Sequence, residues 1–180
     1  MVNNGFDQGF SESPFPDGRW GRSDSKLAGP LKAFAATGIG SRTIRALVPI
    51  DTKILMKSNG RFTVLGPFGL PLLLLTTVGR KSGYQRTTPL VYLPSGEALI
   101  VVGSNFGQER HPAWALNLAA WPEANVSIKG EVFSVTATEL NGDARTDAFE
   151  RFVAMAKTYD AYRHRTDRAI KVFSLQKLEI

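Results

Sequence analysis

The sequence predicts a small, mainly antiparallel β-barrel with flanking helices. One continuous apolar run, Leu72–Val78, ends at a glycine turn, as a strand buried on both faces does. Further strand-like segments follow at regular spacing, separated by Gly, Pro and Asn turn signals, which favours a barrel over a parallel sheet. An apolar stripe at helical spacing near the C-terminus, Phe149 to Ala156, adds a helix that covers the barrel from outside.

In chain order, the predicted strands span residues 72–78, 86–93, 98–104, 124–129, 131–138 and 169–178. The fourth and fifth alternate apolar and polar residues about Gly130, which is typical of a hairpin. A short helix is predicted to start at Pro112, because proline suits a first helical position, and to stop before Pro122. The amphipathic helix follows the fifth strand.

Three regions divide the chain. Residues 1–26 are rich in Gly, Ser, Asp and Pro, which predicts a partly disordered extension that its scattered aromatics could pin to the body or to a partner. Residues 27–58 show a helical period, with a short helix predicted over 51–58. Residues 59–180 hold all the strand signals and are predicted to form the barrel domain.

The composition is that of an ordinary globular domain. A chain of 180 residues can bury a sizeable core, and 43% of it is hydrophobic. The absence of cysteine excludes disulfides, thiolate metal sites and cysteine nucleophiles. The polar start lacks a signal-peptide core, and the longest apolar stretch, 62–78, is interrupted by glycine and proline. We therefore expect a cytoplasmic protein with no membrane span.

The formal charge of +6 is concentrated in one segment. Between Asp51 and Glu97 there is no acidic residue, yet six of the 22 basic residues fall there, and without them the basic and acidic counts are equal. These six are Lys53, Lys57, Arg61, Arg80, Lys81 and Arg86. A pI near 9.8 suits nucleic acid, anionic lipid or an acidic cofactor, and the segment predicts that something anionic docks there.

The turn Gly79–Gly83 is the most specific part of that segment. Glycines let a ligand approach closely, and successive peptide N–H groups can form a concavity for anions. Arg80 and Arg86 offer flat forks for phosphate or carboxylate, and Lys81 adds a mobile charge. A solvated hairpin tip would use the same residues, and the lack of nearby acids favours a binding site instead. The turn lacks P-loop spacing.

Other positions carry weaker signals. Pro89 within a strand indicates an edge or bulge, which could turn the backbone of residues 88–91 towards a ligand. The polar loop Gly103–Gly107 could contact a heterocycle or be a plain turn. Trp114, at the start of the short helix, is more often a core residue than a ligand contact. Tyr159 and Tyr162 share a helix face and could line a pocket or the rim of the core.

The usual catalytic constellations are not evident. The sequence shows no Ser/His/Asp order and no carboxylate dyad, and two histidines as far apart as His111 and His164 predict no metal site. An anion site without acid–base machinery indicates that a bound cofactor performs the chemistry.

The run Leu73–Gly83, followed by Arg86, Pro89 and Leu90, resembles the deazaflavin-dependent nitroreductase family. Members of that family use reduced coenzyme F-420 and include quinone reductases of actinobacteria. The likeness covers residues 60–178, and it is the order of its blocks that is specific. The later blocks are Val101–Asn105, His111–Leu118, Tyr159, Tyr162 and Thr166–Arg168.

The resemblance implies a split β-barrel of the flavin-reductase and pyridoxamine-oxidase-like type, with the deazaflavin in a groove. Its phosphate and oligoglutamate tail would be bound by Arg80, Lys81, Ser82 and Arg86. Its ring system would be bordered by Thr87, Thr88, Pro89, Leu90, Val91, Val102, Gly103, Ser104 and Asn105. The cofactor wall would be completed by Ala113, Trp114, Ala115, Leu116, Asn117 and Tyr159.

Three departures from the family pattern fall on the substrate side. Val91 and Ala156 stand where a relative has pocket tyrosines, and Phe106 breaks what is often a pair of glycines. The tail side keeps its cations, so the resemblance predicts the cofactor more firmly than the substrate.

The implied activity is hydride transfer from C5 of the reduced deazaflavin to an electrophilic acceptor such as a quinone, a nitroaromatic or an activated enone. Ser104, Tyr159 and Tyr162 are the candidate catalytic residues, because each could donate a hydrogen bond to the developing anion. One alternative is a split-barrel reductase that uses FMN, whose single phosphate needs fewer cations. A less favoured alternative is a basic module that binds nucleic acid or a membrane, which would interleave aromatics with its cations.

The expected partner is a small-molecule acceptor, and no nucleic acid is expected. The N-terminal segment is a candidate for peripheral membrane contact, which would bring a lipid quinone within reach. The sequence does not indicate an oligomeric state.

Overall fold

The computed structural model describes residues 13–19, 50–63 and 70–179, and every structural statement below concerns these ranges. Most of the predicted extension over 1–26 and most of the predicted helical segment over 27–58 lie outside them. Within the second segment, residues 50–57 are helical, which confirms the short helix predicted there.

Six antiparallel strands of the described chain form the body of the molecule. They are β1 (Leu72–Val78), β2 (Gln85–Ser95), β3 (Ala98–Val102), β4 (Glu123–Ile128), β5 (Glu131–Leu140) and β6 (Val172–Lys177). Their spatial order is β1-β2-β3-β6-β5-β4, and β4 returns to pair with β1, so the barrel is closed. The predicted split β-barrel with flanking helices is confirmed.

The observed strand ends follow the turn chemistry. β1 has the predicted bounds, and the two-residue turn Lys129–Gly130, with φ of 50° and 91°, joins β4 to β5 as predicted. β3 stops at Val102, two residues earlier than predicted, because the chain leaves the sheet at Gly103 and enters the left-handed region at Asn105. β2 and β5 run two residues further at their C-terminal ends than predicted.

The core has two parts. Apolar residues of all six strands fill the barrel, where Leu73, Leu75 and Leu99 have no exposed surface. The second part lies outside the barrel, where Phe149 and Phe152 pack among Ile100, Val102 and Val172. Burial of each such side chain is worth about 1.5–3 kcal/mol. Besides the helical residues 50–57, the α-helices of the described chain are α1 (Ala113–Ala120), α2 (Gly142–Met155) and α3 (Thr158–Arg163).

Residues 13–19 are fastened to the barrel. Phe15 is buried and meets Phe133 edge-on at 5.4 Å between ring centroids. The Gly18 N–H donates to the Tyr92 hydroxyl at 2.7 Å, and the Leu72 N–H donates to the Gly18 carbonyl at 3.2 Å. A Cβ at Gly18 would lie 2.5 Å from the Tyr92 hydroxyl oxygen, so only glycine fits. An aromatic of the extension therefore does pin it to the body.

None of the helices formed by the described residues is long and apolar enough to cross a bilayer. The same residues contain no group of three or more His, Cys, Asp or Glu side chains placed to hold a metal ion.

Candidate active site

The basic turn, Gly79–Gly83, closes the β1–β2 hairpin. The N–H groups of Ser82 and Gly83 both donate to the Gly79 carbonyl, at 3.1 and 2.7 Å. A Cβ at Gly79 would lie 2.7 Å from the Ser82 hydroxyl oxygen and 3.1 Å from the Tyr84 carbonyl oxygen, which explains the glycine. Because the turn uses these N–H groups itself, the expected backbone concavity for an anion is largely occupied, and side chains must supply the attraction.

Among the residues that the structure describes, the cations of the turn and the nearby Arg86 have no acidic partner. Arg80, Lys81 and Arg86 are exposed, and none of them forms an ion pair within the described ranges. Cations elsewhere behave differently: Lys171 binds Glu139 at 2.6 Å, and Arg163 binds both Glu150 and Asp160. Three cations on one hairpin end, without ion-pair partners in the described ranges, suit a polyanionic ligand.

The six cations of the acid-free segment separate into two groups in space. The second group, Lys53, Lys57 and Arg61, belongs to residues 50–61, which dock on the β4–β5 end. There the Ser127 hydroxyl donates to the Asn59 carbonyl at 2.7 Å, and Ser127 pairs with Leu74. Leu74 lies four residues from Val78, about 13 Å along the strand. One run of charge in the sequence thus becomes two separate basic surfaces.

Asn117 on α1 holds the basic turn in place. Its side-chain oxygen accepts from the Arg80 backbone N–H at 3.2 Å and from the Arg80 guanidinium at 3.4 Å. Its amide donates to the Thr77 hydroxyl at 3.1 Å, and the whole side chain is buried. The side chain of Asn117 thus positions Arg80, and its predicted contact with the cofactor stays a prediction.

The N-terminal half of β2 has a free edge among the strands that the structure describes. β2 pairs with β1 over its residues 85–91 but with β3 only from Tyr92 to Ser95. The Gly79 N–H donates to the Tyr84 carbonyl, and the Tyr92 N–H donates to the Pro71 carbonyl. Even-numbered residues of β2 therefore bond to β1, and odd-numbered residues turn their backbone N–H and C=O groups away from it. Pro89 is one of them, and the strand edge that its position predicted is real.

The residues expected to border a cofactor ring lie along this free edge. Thr87 and Val91 direct backbone groups outward with Pro89, and Thr88 and Leu90 bond to β1 instead. All five are half-buried. The Thr87 hydroxyl lies 2.9 Å from the Thr76 hydroxyl. The edge therefore presents a largely apolar strand whose free backbone carbonyls and N–H groups can meet a flat heterocycle.

The opposite wall comes from the end of β3 and from α1. Gly103 has its N–H bonded to the Lys171 carbonyl at 2.8 Å, and a Cβ there would lie 3.4 Å from the Ala115 Cβ. Val102 and Ser104 are buried, and Asn105 is half-buried. On α1, Ala113 is exposed and Leu116 half-buried, so these two can face a ligand. Trp114 is buried against Phe173 and belongs to the core, the more frequent role of such a residue.

Arg168 fastens this wall, and its role could not be predicted. Its guanidinium donates to the carbonyls of Gly103 at 3.1 Å, Ser104 at 2.7 Å and Gln108 at 2.9 Å. A fourth contact joins it to His111 Nδ1 at 3.0 Å. Three of these partners are backbone carbonyls about 60 residues earlier in the chain. Every residue has a backbone carbonyl, so residue types in the sequence do not indicate such partners. In the sequence, only its place in the Thr166–Arg168 block of the family resemblance indicated that Arg168 matters.

The contact with Arg168 defines the state of His111. A guanidinium can only donate, so Nδ1 must accept, and the imidazole is neutral with its proton on Nε2. Burial and the nearby cations Arg168 and Lys171 lower the pKa of His111 below its ordinary value, while Glu139 opposes them. Burial likewise lowers the pKa of Arg168, which still remains a cation.

Two of the three candidate catalytic residues, Tyr159 and Tyr162, are in contact. Tyr159 and Tyr162 on α3 meet edge-on at 5.3 Å, and Tyr162 meets Phe106, two residues after Ser104, at 5.8 Å. Burial raises the pKa of Tyr159, with Tyr162 adding to the effect, so its phenol stays protonated as a donor. Ser104 is buried, two residues before Phe106 in the chain. A hydroxyl set of this kind can donate to an oxygen that gains negative charge.

Two cavities of about 200 Å³ lie elsewhere. One is between α2, α3 and residues 168–170, and the other is on the outer face of β1 and β4 near Thr76 and Gln85. Neither is lined by the residues predicted to bind the ring system. The candidate site therefore consists of the free edge of β2, the wall formed by residues 103–117 and the basic turn, which Asn117 links to α1.

A split barrel with a basic turn beside a strand edge suits a cofactor-dependent oxidoreductase. The family is shown by the comparison of sequences. A model described as F420H(2)-dependent quinone reductase matches residues 47–177, and the chain belongs to that family of deazaflavin-dependent enzymes. The resemblance seen in the sequence is confirmed.

Individual relatives agree. The F420H(2)-dependent quinone reductases Rv1261c and MT1299, from two strains of Mycobacterium tuberculosis, are each 32% identical over 136 residues, which cover 73% of this chain and 90% of theirs. A solved F420-H2 dependent reductase, FDR-A, is 34% identical with a TM-score of 0.54, covering 59% of this chain and 94% of its own. A second structure, described as a domain-swapped dimer, has 29% identity and a TM-score of 0.57, covering 76% and 98%.

These relatives support coenzyme F-420 as the cofactor and lend no support to FMN. The described residues fit the coenzyme, because an acid-free group of unpaired cations lies beside a strand edge with free backbone groups. The tail would be held by Arg80, Lys81 and Arg86, with Ser82 beside them.

Proposed function

We propose that this protein reduces a quinone-type acceptor with reduced coenzyme F-420, bound at this candidate site. The observation that carries the proposal is that Arg80, Lys81 and Arg86, beside the free strand edge, form no ion pair with any residue that the structure describes. The family supports the class of acceptor, because it is a family of F420H(2)-dependent quinone reductases.

In this proposal, the residues of the chain bind the coenzyme and the acceptor and orient them. The cations would hold the anionic tail of the coenzyme, and the free edge of β2 and residues 103–105 would border its ring system. When bound, the reduced coenzyme supplies a hydride, and a proton from water completes a hydroquinone. Ser104, Tyr159 and Tyr162 stabilise the oxygen that gains charge by donating hydrogen bonds. Proximity, not general-base strength, is the main contribution of the protein.

Binding of the tail is tested with two double variants that remove the same charge. We expect Arg80→Ala with Lys81→Ala to weaken coenzyme F-420 binding by about tenfold or more and to reduce its salt dependence. Lys53→Ala with Lys57→Ala is the matched control, because these cations belong to the second basic surface. Fluorescence titration at several salt concentrations measures both. Equal affinities in the two double variants would remove the assigned role of the basic turn.

The class of acceptor is tested by steady-state kinetics. We expect a naphthoquinone or benzoquinone to have a higher kcat/KM than a nitroaromatic or an activated enone. A reversed order would make the protein a nitroreductase or ene-reductase of the same family. FMN added at the same concentration as coenzyme F-420 should neither bind comparably nor support turnover.

We also propose that the second basic surface contacts an anionic membrane. The exposed face of helical residues 50–57 carries Ile50 and Met56 beside Lys53 and Lys57, and Phe62 follows with 66% of its surface exposed. Apolar side chains flanked by lysines suit the interface of an anionic bilayer. Such contact would bring a lipid-soluble quinone close to the protein.

Sedimentation with phosphatidylglycerol vesicles tests this contact in the full-length chain. Met56→Ser with Phe62→Ser should lower the bound fraction severalfold and leave coenzyme binding unchanged. The Arg80/Lys81 double variant should behave in the opposite way. Equal sedimentation of the Met56/Phe62 variant and the unmodified chain would overturn the membrane proposal alone.

A further inference from the structure

Phe106 lies in a backbone conformation that disfavours a side chain. Asn105, Phe106 and Gly107 have φ angles of 47°, 56° and 77°, three consecutive residues in the left-handed region. Glycine is needed at 107, where a Cβ would lie 2.7 Å from the Arg165 Cβ and 2.8 Å from the Tyr162 carbonyl oxygen. At 106 the chain uses phenylalanine where glycine would remove the strain, so the ring is retained at a conformational cost.

The surrounding contacts hold the strained loop from both sides. Arg168 binds the carbonyls of Ser104 and Gln108, which flank the loop, at 2.7 and 2.9 Å. The Asn105 side chain donates to the Arg110 carbonyl at 2.9 Å. A loop fixed at both ends cannot relax by turning Phe106 into the core, and strain that is held in this way is typical of functional sites.

The fixed loop presents the Phe106 ring to solvent at one end of a row of aromatic rings. The ring is 63% exposed and meets Tyr162 edge-on at 5.8 Å, with 75° between the ring planes. Tyr162 meets Tyr159 at 5.3 Å, and Tyr159 meets the buried Phe152 at 4.7 Å. The row thus anchors an exposed aromatic corner to the core, two residues from the buried Ser104.

We propose that Phe106 and Tyr162 form a platform that binds the acceptor and selects flat, extended ring systems. A planar ring that lies on the exposed face of Phe106 meets the Tyr162 ring at its edge, so both favoured aromatic geometries are available to it. A bicyclic naphthoquinone covers more of this corner than a monocyclic benzoquinone does. The inference rests on the proposed function for the class of acceptor and concerns specificity within that class.

Phe106→Gly tests the platform because it should have two opposite effects. Removal of the strained side chain should raise the thermal midpoint of unfolding by a few degrees. It should also raise KM for a naphthoquinone about fivefold, with KM for a benzoquinone changed less than twofold. The affinity for coenzyme F-420 should stay within twofold. Phe106→Tyr, which keeps an aromatic face, should keep the preference for the naphthoquinone.

A second measurement separates this inference from the proposed function. Calorimetric titration of the oxidised naphthoquinone into the unmodified chain and into Phe106→Gly compares acceptor binding without turnover. If the unmodified chain binds the naphthoquinone about fivefold more tightly than Phe106→Gly does but does not reduce it, the proposed function fails and the platform stands. If both proteins bind and reduce both quinones with equal preference, the platform is overturned and the proposed function stands.

Discussion

The side-chain oxygen of Asn117 accepts two hydrogen bonds from Arg80, one from its backbone N–H at 3.2 Å and one from its guanidinium at 3.4 Å. This joins the buried face of α1 to the most basic turn of the molecule. An exposed cation is thereby held in one direction by an amide that no ligand needs to touch.

Asn117→Ala should therefore affect both the fold and the cofactor. It leaves the Arg80 N–H and the Thr77 hydroxyl without their partner, and we expect a loss of about 1–3 kcal/mol in the free energy of unfolding. Coenzyme F-420 affinity should fall severalfold. Asn125→Ala, which removes an exposed bond to Ser134, is the control and should change neither. Unchanged coenzyme affinity in Asn117→Ala would show that Arg80 does not need this support.

Gly79→Ala should damage the basic turn selectively. The added Cβ meets the Tyr84 backbone oxygen at 3.1 Å, so the hairpin end must shift. Gly96→Ala is a matched change at the β2–β3 turn, where no atom lies within 4 Å and only the φ of +57° disfavours alanine. We expect both to cost about 1 kcal/mol of stability, and only Gly79→Ala to weaken coenzyme binding. Urea unfolding and fluorescence titration distinguish them.

Arg168→Lys should loosen the loop that carries Ser104. Lysine keeps the charge but cannot reach three carbonyls and the His111 ring at once, because its donors sit on a single atom. We expect a loss of at least about 2 kcal/mol in stability and faster hydrogen exchange over residues 103–108. Arg165→Lys is the control, because Arg165 only overlies the Tyr162 ring. Normal exchange in Arg168→Lys would contradict the clamp.

The neutral His111 should make stability depend on pH in a defined direction. Its pKa in the folded protein is below 6.5 because of burial and of the cations Arg168 and Lys171. As pH falls through 6.5, the unfolded chain takes up a proton that the folded chain does not, so the free energy of unfolding decreases. This contribution is fully present above 6.5.

The measurement compares the unmodified chain with His111→Asn, whose side-chain oxygen can accept from Arg168 without titrating. The difference in unfolding free energy between the two should change as pH falls below 6.5, with the unmodified chain losing more. Nitrogen chemical shifts should report the tautomer protonated at Nε2. A doubly protonated ring at neutral pH would contradict the assignment.

The strands were predictable because local patterns decide them. The apolar run of β1, the hairpin at Gly130 and the prolines around α1 each restrict the backbone within a few residues. Pro89 even predicted a free edge, because a missing N–H is tolerated only where no ladder bond is needed. The end of β3 was placed too late, because Arg168 and left-handed residues at 105–107 decide it, and neither shows in a local pattern.

The sequence predicted which residues lie at the candidate site better than it predicted what each side chain does there. Arg80 and Lys81 carry their chemistry in their residue type, so the basic turn was visible from the sequence. Asn117 and Trp114 face inward, which depends on how α1 rotates against the barrel. The division of the cations into two surfaces arises from barrel closure, which brings residues 59–60 to Ser127. No spacing along the chain reports that distance.

Pro89 also affects the tendency of the protein to aggregate at high concentration. A strand with one open flank invites the matching strand of another copy, and such growth leads to fibrils. The pyrrolidine ring removes one donor from that flank and so interrupts the ladder that a second chain would need. The free edge of β2 can thus stay open to a small heterocycle and still disfavour pairing with the same strand of another copy.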